Sequence, residues 1–437
     1  MSKGISRRRF LQRSALFAAG AVAAPCLVPG TALGNGKAAA ASNRITIGFI
    51  GIGKMAKGHL GAFLGDPGVQ VLAICDVERG RREGQAQRVN AHYAEREGAG
   101  TYVGCGAYVD FRELCARTDI DAVVIATPDH WHGLAALEAA RNGKDIYLEK
   151  PMTHTIEEGK ALVKAVRRYG RILQVGSQQR SDTAFRQACE LVRNGRIGTV
   201  REVFVNIGGP PLPDARLAQQ AAPEGLDWDF WVGPAPFRPY NAELAPPESF
   251  DGWPNWRSYR DFGGGGMCDF GAHHFDIAQW GLGTDDTGPV EVLYPDGKDI
   301  KRMTFVYANG IRMYHGGGEA RAATEWVGTA GRVSVNRGQY LVTEPASLKY
   351  ETLGPGETHL YASDNHKDNW LEAVRTRREP ICPVEIGHRT ATICNMGNIA
   401  YYLRRSLKWD PAKEVFVNDP EANRLLGYAM RSPWRIA

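Results

Sequence analysis

The chain has 437 residues, 43% of them hydrophobic, which is enough for a large core spread over two or three domains and too long for a small disulfide scaffold. Its formal charge of +5 traces to the first 41 residues, where Lys3, Arg7, Arg8, Arg9, Arg13 and Lys37 meet no acid, leaving 47 of the 53 basic residues against all 48 acidic ones. A near-neutral body lacks the dense basic face that nucleic acid or an anionic membrane surface requires, so neither is expected as a partner.

Chain order begins with "SRRRFLQR" and "SALFAAGAVAAPCLV", a paired-arginine stretch followed by a short, weakly apolar run and small residues. That pattern resembles a twin-arginine export signal over residues 1–41, with cleavage between Ala32 and Ser42, the twin-arginine translocon as a transient partner and the periplasm or another extracytoplasmic space as destination. The apolar run is too short to span a bilayer as a stable helix. Of eight cysteines, Cys26 falls in this signal, and the other seven show no CxxC or paired spacing, which predicts scattered thiols rather than a disulfide framework. The twin-arginine route moves folded chains, as a protein loaded with cofactor before export would need.

From Arg44 the sequence alternates. "RITIGFIGIGKMAKGHLGAF" is a buried strand entering glycines and a helix; "VQVLAICD", "DAVVIATP", "DIYLEKP" and "RILQVGSQ" are further strands, separated by helical stretches such as "TIEEGKALVKAVRRYG". This predicts a parallel sheet with helices on both faces. "GIGKMA" has G-x-G-x-x-A spacing between strand and helix: Gly51 for the tight turn, Gly53 for close approach of a pyrophosphate, Ala56 for helix packing. Asp76, 25 residues after Gly51, closes the second strand, where a carboxylate accepts from the adenosine ribose 2′-hydroxyl and repels a 2′-phosphate. NAD is therefore expected, tightly bound, with NADP as the alternative because Arg79, Arg81 and Arg82 follow closely.

Beyond Arg180 the texture changes to a Pro-, Gly- and Trp-rich loop ending in "DFGGGG". Strands without intervening helices follow, "MTFVYANGIRMYHGG", "EWVGTAGRVSVNRG" and "SLKYETL", predicting an antiparallel sheet, and "NHKDNWLEAVRTRR" and "RTATICNMGNIAYYLRR" read as helices.

Taken together, "ATPDHWH", "LEKPMT", "GGGGMCDFGAHHFDIAQWGLG" and the strand–glycine opening resemble the Gfo/Idh/MocA family of glucose-fructose oxidoreductase, inositol dehydrogenase and rhizopine-catabolism proteins. The resemblance implies an α/β Rossmann domain over residues 42–178, then an α+β domain over 179–437 with an open, mostly antiparallel sheet that binds substrate and forms a homo-oligomer. It implies an NAD(P)-dependent oxidoreductase acting on a sugar, glycoside or polyol. The family's lysine falls on Lys150, its aspartate and histidine on Asp269 and His273; cofactor contacts are expected at Gly51, Gly53, Lys54, Met55, Asp76, Thr127, Pro128, His132, Glu149 and Lys150 itself, and substrate contacts at Gln179 and Arg180 of the family's "QQR", with Arg257 and Tyr259 before the glycine run and His274 as further pocket residues.

The residue types suit the chemistry. Oxidising a carbinol needs a base for the hydroxyl proton, here His273, while a cation such as Lys150 lowers the alcohol's pKa. Asp269 and His273 stand i,i+4 and would share a helix face, with Asp269 orienting the base. Three alternatives remain open at this stage. A metal could use His273 or His274 with Asp269 or Asp276, although no second His/Cys cluster with ligand spacing accompanies them, so no metal is expected. Asp269 could be a helix cap and His274 a core residue. Trp228, Trp231, Trp253 and Trp256 could stack on sugar or fill a core. At the level of function, the alternatives are glycoside cleavage through transient sugar oxidation and a non-catalytic sugar-binding protein with a structural dinucleotide.

Overall fold

The computed structural model describes residues 43–97, 103–213 and 216–436; the leader expected over residues 1–41, with Cys26, lies outside them. Strands β1 (Ile45–Ile50), β2 (Val69–Cys75), β3 (Gly106–Tyr108), β4 (Ala122–Ile125), β5 (Asp145–Leu148) and β6 (Leu173–Val175) alternate with helices α1 (Lys54–Leu64), α2 (Arg79–Glu97), α3 (Phe111–Ala116), α4 (Asp129–Arg141) and α5 (Ile156–Tyr169). All six strands are parallel in the order β3-β2-β1-β4-β5-β6. β4 "AVVI" is buried on both faces, as Val/Ile-rich central parallel strands are when helices cover each side. The order reverses between β1 and β4, opening a crevice beyond their carboxyl ends, the place where doubly wound sheets bind dinucleotides.

The second sheet contains β7 (Val200–Val205), β8 (Glu291–Leu293), β9 (Thr304–Val306), β10 (Arg312–His315), β11 (Thr324–Gly328), β12 (Arg332–Asn336), β13 (Tyr340–Glu344), β14 (Leu407–Asp410) and β15 (Val415–Phe416). Its order is β13-β12-β11-β7-β10-β9-β8-β14-β15, with only β7 and β10 pairing in parallel. "SLKYETL" is not the strand its alternation predicts. Pro345 starts a 3₁₀ turn over Ala346–Tyr350, in which the Leu348 N–H bonds to the Pro345 carbonyl and Leu348 alone is buried.

Behind this sheet lie α6 (Thr183–Arg193), α9 (Gly271–Leu282) and α11 (Val384–Leu403). Almost every residue of α9 is buried, so the helix carrying His273 and His274 is a central strut rather than an amphipathic surface helix. Helix α10 (His366–Thr376) returns to the first sheet, where Trp370 meets Phe63 and Tyr147 edge-on at 5.6 and 5.7 Å. Among the described residues no helix is long and apolar enough to cross a membrane.

Between β7 and α8 (Gly265–Asp269) the chain runs through a long loop containing only the short α7 (Trp228–Val232) and a 3₁₀ turn, Asn255–Ser258. The loop has its own small core of Trp228, Trp231, Tyr240, Leu244, Trp256 and Phe262. Trp228 and Trp231 stack on each other, 4.7 Å apart and 14° from parallel, so they and Trp256 are packing residues; Trp253 is the exposed member of the four.

Candidate active site

The turn after β1 is built as its glycines require. Gly51 has φ +79°, and a Cβ there would stand 2.9 Å from the backbone nitrogen of Thr127, so the β1 and β4 turns touch only because Gly51 has no side chain. Gly53, which caps α1 without any side-chain hydrogen bond, would project its Cβ into open space. The first N–H groups of α1 thus face an open cradle, the arrangement that accepts a pyrophosphate. At the end of β2 the Asp76 carboxylate receives the N–H of Ile52 at 2.8 Å and of Glu78 at 2.9 Å, tying the glycine turn to the ribose position. Burial raises the Asp76 pKa, opposed by Arg81 and those two N–H groups.

A cavity of about 500 Å³ occupies this crevice, lined by Gly51, Gly53, Lys54, Met55, Asp76, Thr127, Pro128 and Arg257 among others. These residues fit a dinucleotide: a glycine cradle at a helix start, a carboxylate at the end of β2, and apolar walls. The outer wall, which the sequence did not disclose, comes from the long loop, whose segment 244–257 lies across the opening. Lys54 pairs with Asp251 at 3.3 Å, Lys57 with Glu248 at 3.4 Å, and Arg81 donates to the Pro246 carbonyl at 2.7 Å. Backbone bonds from Arg79 to Gly225 (3.0 Å) and from Asp227 to Val77 (3.0 Å) fasten the same loop to the end of β2. The side chains of Arg81 and Arg82 thus bind the Pro246 and Asp76 carbonyls, while Arg79 is tied by its backbone N–H and keeps an exposed side chain.

Lys150 follows β5. Its ammonium donates to the Asp269 carboxylate at 2.5 Å and to the Asp269 carbonyl at 2.9 Å. Asp269 ends α8 and His273 lies in the first turn of α9; Phe270 between them keeps α-region angles and its carbonyl accepts the His274 N–H at 3.0 Å, so one residue joins the two helices. The glycine run before Asp269 packs backbone on backbone: a Cβ on Gly266 would lie 2.5 Å from the Gly208 Cα, which fixes where α8 starts. Neither ring nitrogen of His273 has a hydrogen-bond partner among the described residues, and Nδ1 is sealed from solvent. Desolvation, then the charges of Lys150 and Arg337, hold its pKa well below the ordinary histidine value, so the ring is neutral near pH 7. Arg257 joins this cluster to the cavity, its Nε 3.9 Å from Asp269 Oδ2 and its guanidinium over Trp256.

Several predicted site residues lie elsewhere. Arg180 is 1% exposed and forms two-pronged ion pairs with the buried Asp276 (2.8 and 2.9 Å) and the half-buried Asp285 (3.0 and 2.8 Å), which occupy its guanidinium. Tyr259 is buried in the loop's own core, its hydroxyl on Glu243 at 2.5 Å. His274 is buried and shares a 2.7 Å hydrogen bond with the Asn206 carbonyl, and Thr324 donates to its backbone oxygen, so it fastens α9 to the second sheet. His132 lies between the carbonyls of Pro151 (2.7 Å) and Thr127 (3.0 Å), and Glu149 between His59 (2.8 Å) and Gln178 (3.1 Å); both brace the turns after β4 and β5 and are not cavity walls. Gln179 stays at the site: with its amide turned to the orientation that satisfies both neighbours, it donates to the His273 carbonyl at 3.2 Å and accepts from Arg337 Nε at 3.1 Å.

Two residues that sequence reasoning missed join the cluster. Asp129, buried at the start of α4, is raised to about 7 by desolvation, which Arg257 opposes and Asp269 reinforces. Arg337 sits in the β12–β13 turn, where "NRG" reads as nothing more than a hairpin. All seven described cysteines are buried thiols. Among the described residues no group of three or more His, Cys, Asp or Glu converges as a metal ion would need.

Comparison with known proteins places this geometry. Residues 45–177 match the oxidoreductase family's NAD-binding Rossmann fold and residues 212–436 match its C-terminal alpha/beta domain. Inositol 2-dehydrogenase 2 of Saccharopolyspora erythraea is 33% identical over 194 residues, 43% of this chain and 53% of that protein. An uncharacterized oxidoreductase of Bacillus subtilis, YrbE, is 30% identical over 173 residues, 40% of this chain and 47% of that one. A glycosyl hydrolase family 109 protein of a Shewanella species is 35% identical over 114 residues, 26% of this chain and 24% of that one. The chain thus spans about half, or less, of the length of these relatives. In fold it is similar to the aldose-aldose oxidoreductase of Caulobacter crescentus complexed with glycerol (TM-score 0.56, 19% identity, 84% of this chain and 99% of that one). It is also similar to the WlbA dehydrogenase of Bordetella pertussis in complex with NADH and UDP-GlcNAcA (TM-score 0.55, 20% identity, 84% and 99%). With both of its domain types matched in order, the chain belongs to the Gfo/Idh/MocA oxidoreductase family.

Proposed function

We propose that this chain is an exported oxidoreductase that moves hydride between a sugar, glycoside or polyol and a bound NAD. The observation that carries the reading is the Lys150–Asp269 pair, with the neutral His273 within reach of the Lys150 charge, joined to the dinucleotide cavity by Arg257, which lines that cavity and pairs with Asp269. NAD, held by Gly51, Gly53, Asp76, Thr127 and Pro128, supplies the hydride acceptor and donor. His273 takes the substrate's hydroxyl proton on a free ring nitrogen. Two of the three Lys150 donors are engaged by Asp269, and the third stabilises negative charge on the substrate oxygen. In this reading Asp269 orients Lys150 rather than His273. Asp76, with the Arg81 and Arg82 side chains bound to backbone carbonyls, supports NAD over NADP.

The loop lining the cavity, held by Lys54–Asp251, Lys57–Glu248 and the backbone bonds to residues 77 and 79, supports a nucleotide that stays bound through many cycles. The paired arginines and apolar run of residues 1–41 support export with the nucleotide already loaded. Retention also favours a second reading, glycoside cleavage in which the sugar is oxidised, eliminated across the acidified C–H, and reduced again; the family 109 glycosyl hydrolase relatives are in keeping with it. A panel of sugars, polyols and glycosides incubated with the purified protein, with and without NAD or NADP, tests both readings. Nicotinamide fluorescence reports hydride transfer and product analysis reports cleavage. A panel that yields neither contradicts both.

A further inference from the structure

The cluster around His273 holds more positive charge than its acids offset. Lys150 and Arg257 share Asp269, at 2.5 and 3.9 Å, and Asp129 nearby is partly protonated at neutral pH. Among the described residues Arg337 has no carboxylate partner. Its Nε is tied to Gln179, itself 5% exposed, and Gln179 in turn binds the His273 carbonyl, so the guanidinium is held in fixed relation to that histidine. The guanidinium carbon lies 5.6 Å from the centroid of the Phe270 ring, an aromatic surface 46% exposed to solvent. Both terminal nitrogens of Arg337 lack an acceptor among the described residues. An arginine fixed through Nε, with its outer donors open beside a sugar-sized aromatic face, is arranged to receive a planar anion.

Building on the hydride-transfer reading above, we propose that the substrate is an acidic sugar, a uronic acid or a glycoside containing one, whose carboxylate is bound by the terminal nitrogens of Arg337. The apolar C–H face of the pyranose rests on Phe270, and the carbinol to be oxidised meets Lys150 and His273. A planar carboxylate matches the guanidinium edge and carries one charge, in keeping with the modest positive excess of the cluster; a phosphate dianion would exceed it.

Calorimetric titration of the full chain, loaded with nucleotide, compares glucuronate and galacturonate with glucose and galactose, and glucose 6-phosphate with all four. The uronates should bind about 10- to 100-fold more tightly than the neutral sugars, the worth of a hydrogen bond to a charged group. Arg337→Gln should erase that preference while leaving neutral-sugar binding unchanged, and Arg337→Lys should restore part of it. In turnover, Arg337→Gln should raise KM for the uronate far more than KM for the neutral sugars. Equal binding of neutral and acidic sugars, tighter binding of the phosphate, or a preference that survives Arg337→Gln would each overturn the assignment. Binding is read apart from chemistry: a uronate that binds selectively yet never exchanges hydride refutes the proposed reaction, whereas a neutral sugar that is oxidised with no uronate preference refutes only this inference.

Discussion

Lys150 spends two of its three ammonium donors on Asp269, one on the side chain at 2.5 Å and one on the main chain at 2.9 Å, which leaves a single N–H to point elsewhere. The carbonyl contact sets direction and the carboxylate keeps the charge local. Replacing Lys150 by Ala should therefore lower kcat by about 10² or more, the usual loss when a group stabilising developing charge is removed. His273→Ala should do likewise, with nucleotide binding preserved in both. His274→Ala should instead lower thermal stability, because its ring fastens α9 to Asn206. Steady-state kinetics with melting curves checks the set; a dispensable His273 beside an essential His274 would contradict it.

Gly51 and Gly53 should respond differently to the same substitution. Gly51→Ala places a Cβ at φ +79° against Thr127 and should destabilise the fold by at least about 1–2 kcal/mol. Gly53→Ala meets no neighbour within 4 Å and has ordinary backbone angles, so stability should hold or rise by about 0.4–1 kcal/mol. Nucleotide affinity should nevertheless fall in Gly53→Ala, because the methyl fills the cradle. Denaturant melts and nucleotide titrations separate the two effects.

The Arg180 triad should register as stability and not as chemistry. Removing the arginine leaves Asp276, fully buried, without its counter-charge. Arg180→Ala should cost about 3–5 kcal/mol, as breaking buried pairs does. A folded variant with normal melting and a specific loss of turnover would return Arg180 to the substrate site.

Buried histidines set the acid limb of stability. Desolvation lowers His130 to about 3 and His154, His274 and His366 to about 4, so below about 6.5 the unfolded chain takes up protons that these rings refuse in the native state. Asp129 and Glu158, raised to about 7 by burial, act in the opposite sense, holding protons in the native state that the unfolded chain has released. Four groups against two give a net excess of protons on the unfolded state, and stability should fall as pH drops from about 6.5 towards 4.5. Melting temperatures across that range check the sign; a maximum near pH 5 would contradict it.

How much of this was legible in the sequence follows from which contacts are local. The strand–glycine–helix unit, Asp76 and the alternating strands depend on neighbouring residues and periodicity, and the parallel sheet and its crevice follow from them. The positions of Lys150, Asp269 and His273 came from a family resemblance, while their geometry did not. The i,i+4 spacing did not show that Phe270 divides Asp269 and His273 between two helices, nor that Asp269 binds Lys150. Arg180 was expected at the substrate from the resemblance and Tyr259 from its place before the glycine run, yet Asp276 and Asp285, about 100 residues on, bind the one and Glu243, within the same loop, binds the other. Glu248 and Asp251 lie in a proline-rich loop about 190 residues from Lys57 and Lys54, and no local signal connects them. Arg337 was hidden for the same reason: a hairpin tip reveals its turn and not what it faces.

The central claim is a nucleotide that remains in place while sugars are turned over. Mature protein recovered from the periplasm, passed through gel filtration and denatured, should release close to one NAD per chain. The same preparation, given a substrate pair or a cleavable glycoside and no added nucleotide, should complete many turnovers. A double variant, Glu248→Gln with Asp251→Asn, should lose nucleotide faster on the same column while keeping its fold. Protein that emerges empty, and that oxidises substrate only in step with NAD supplied, would contradict the account.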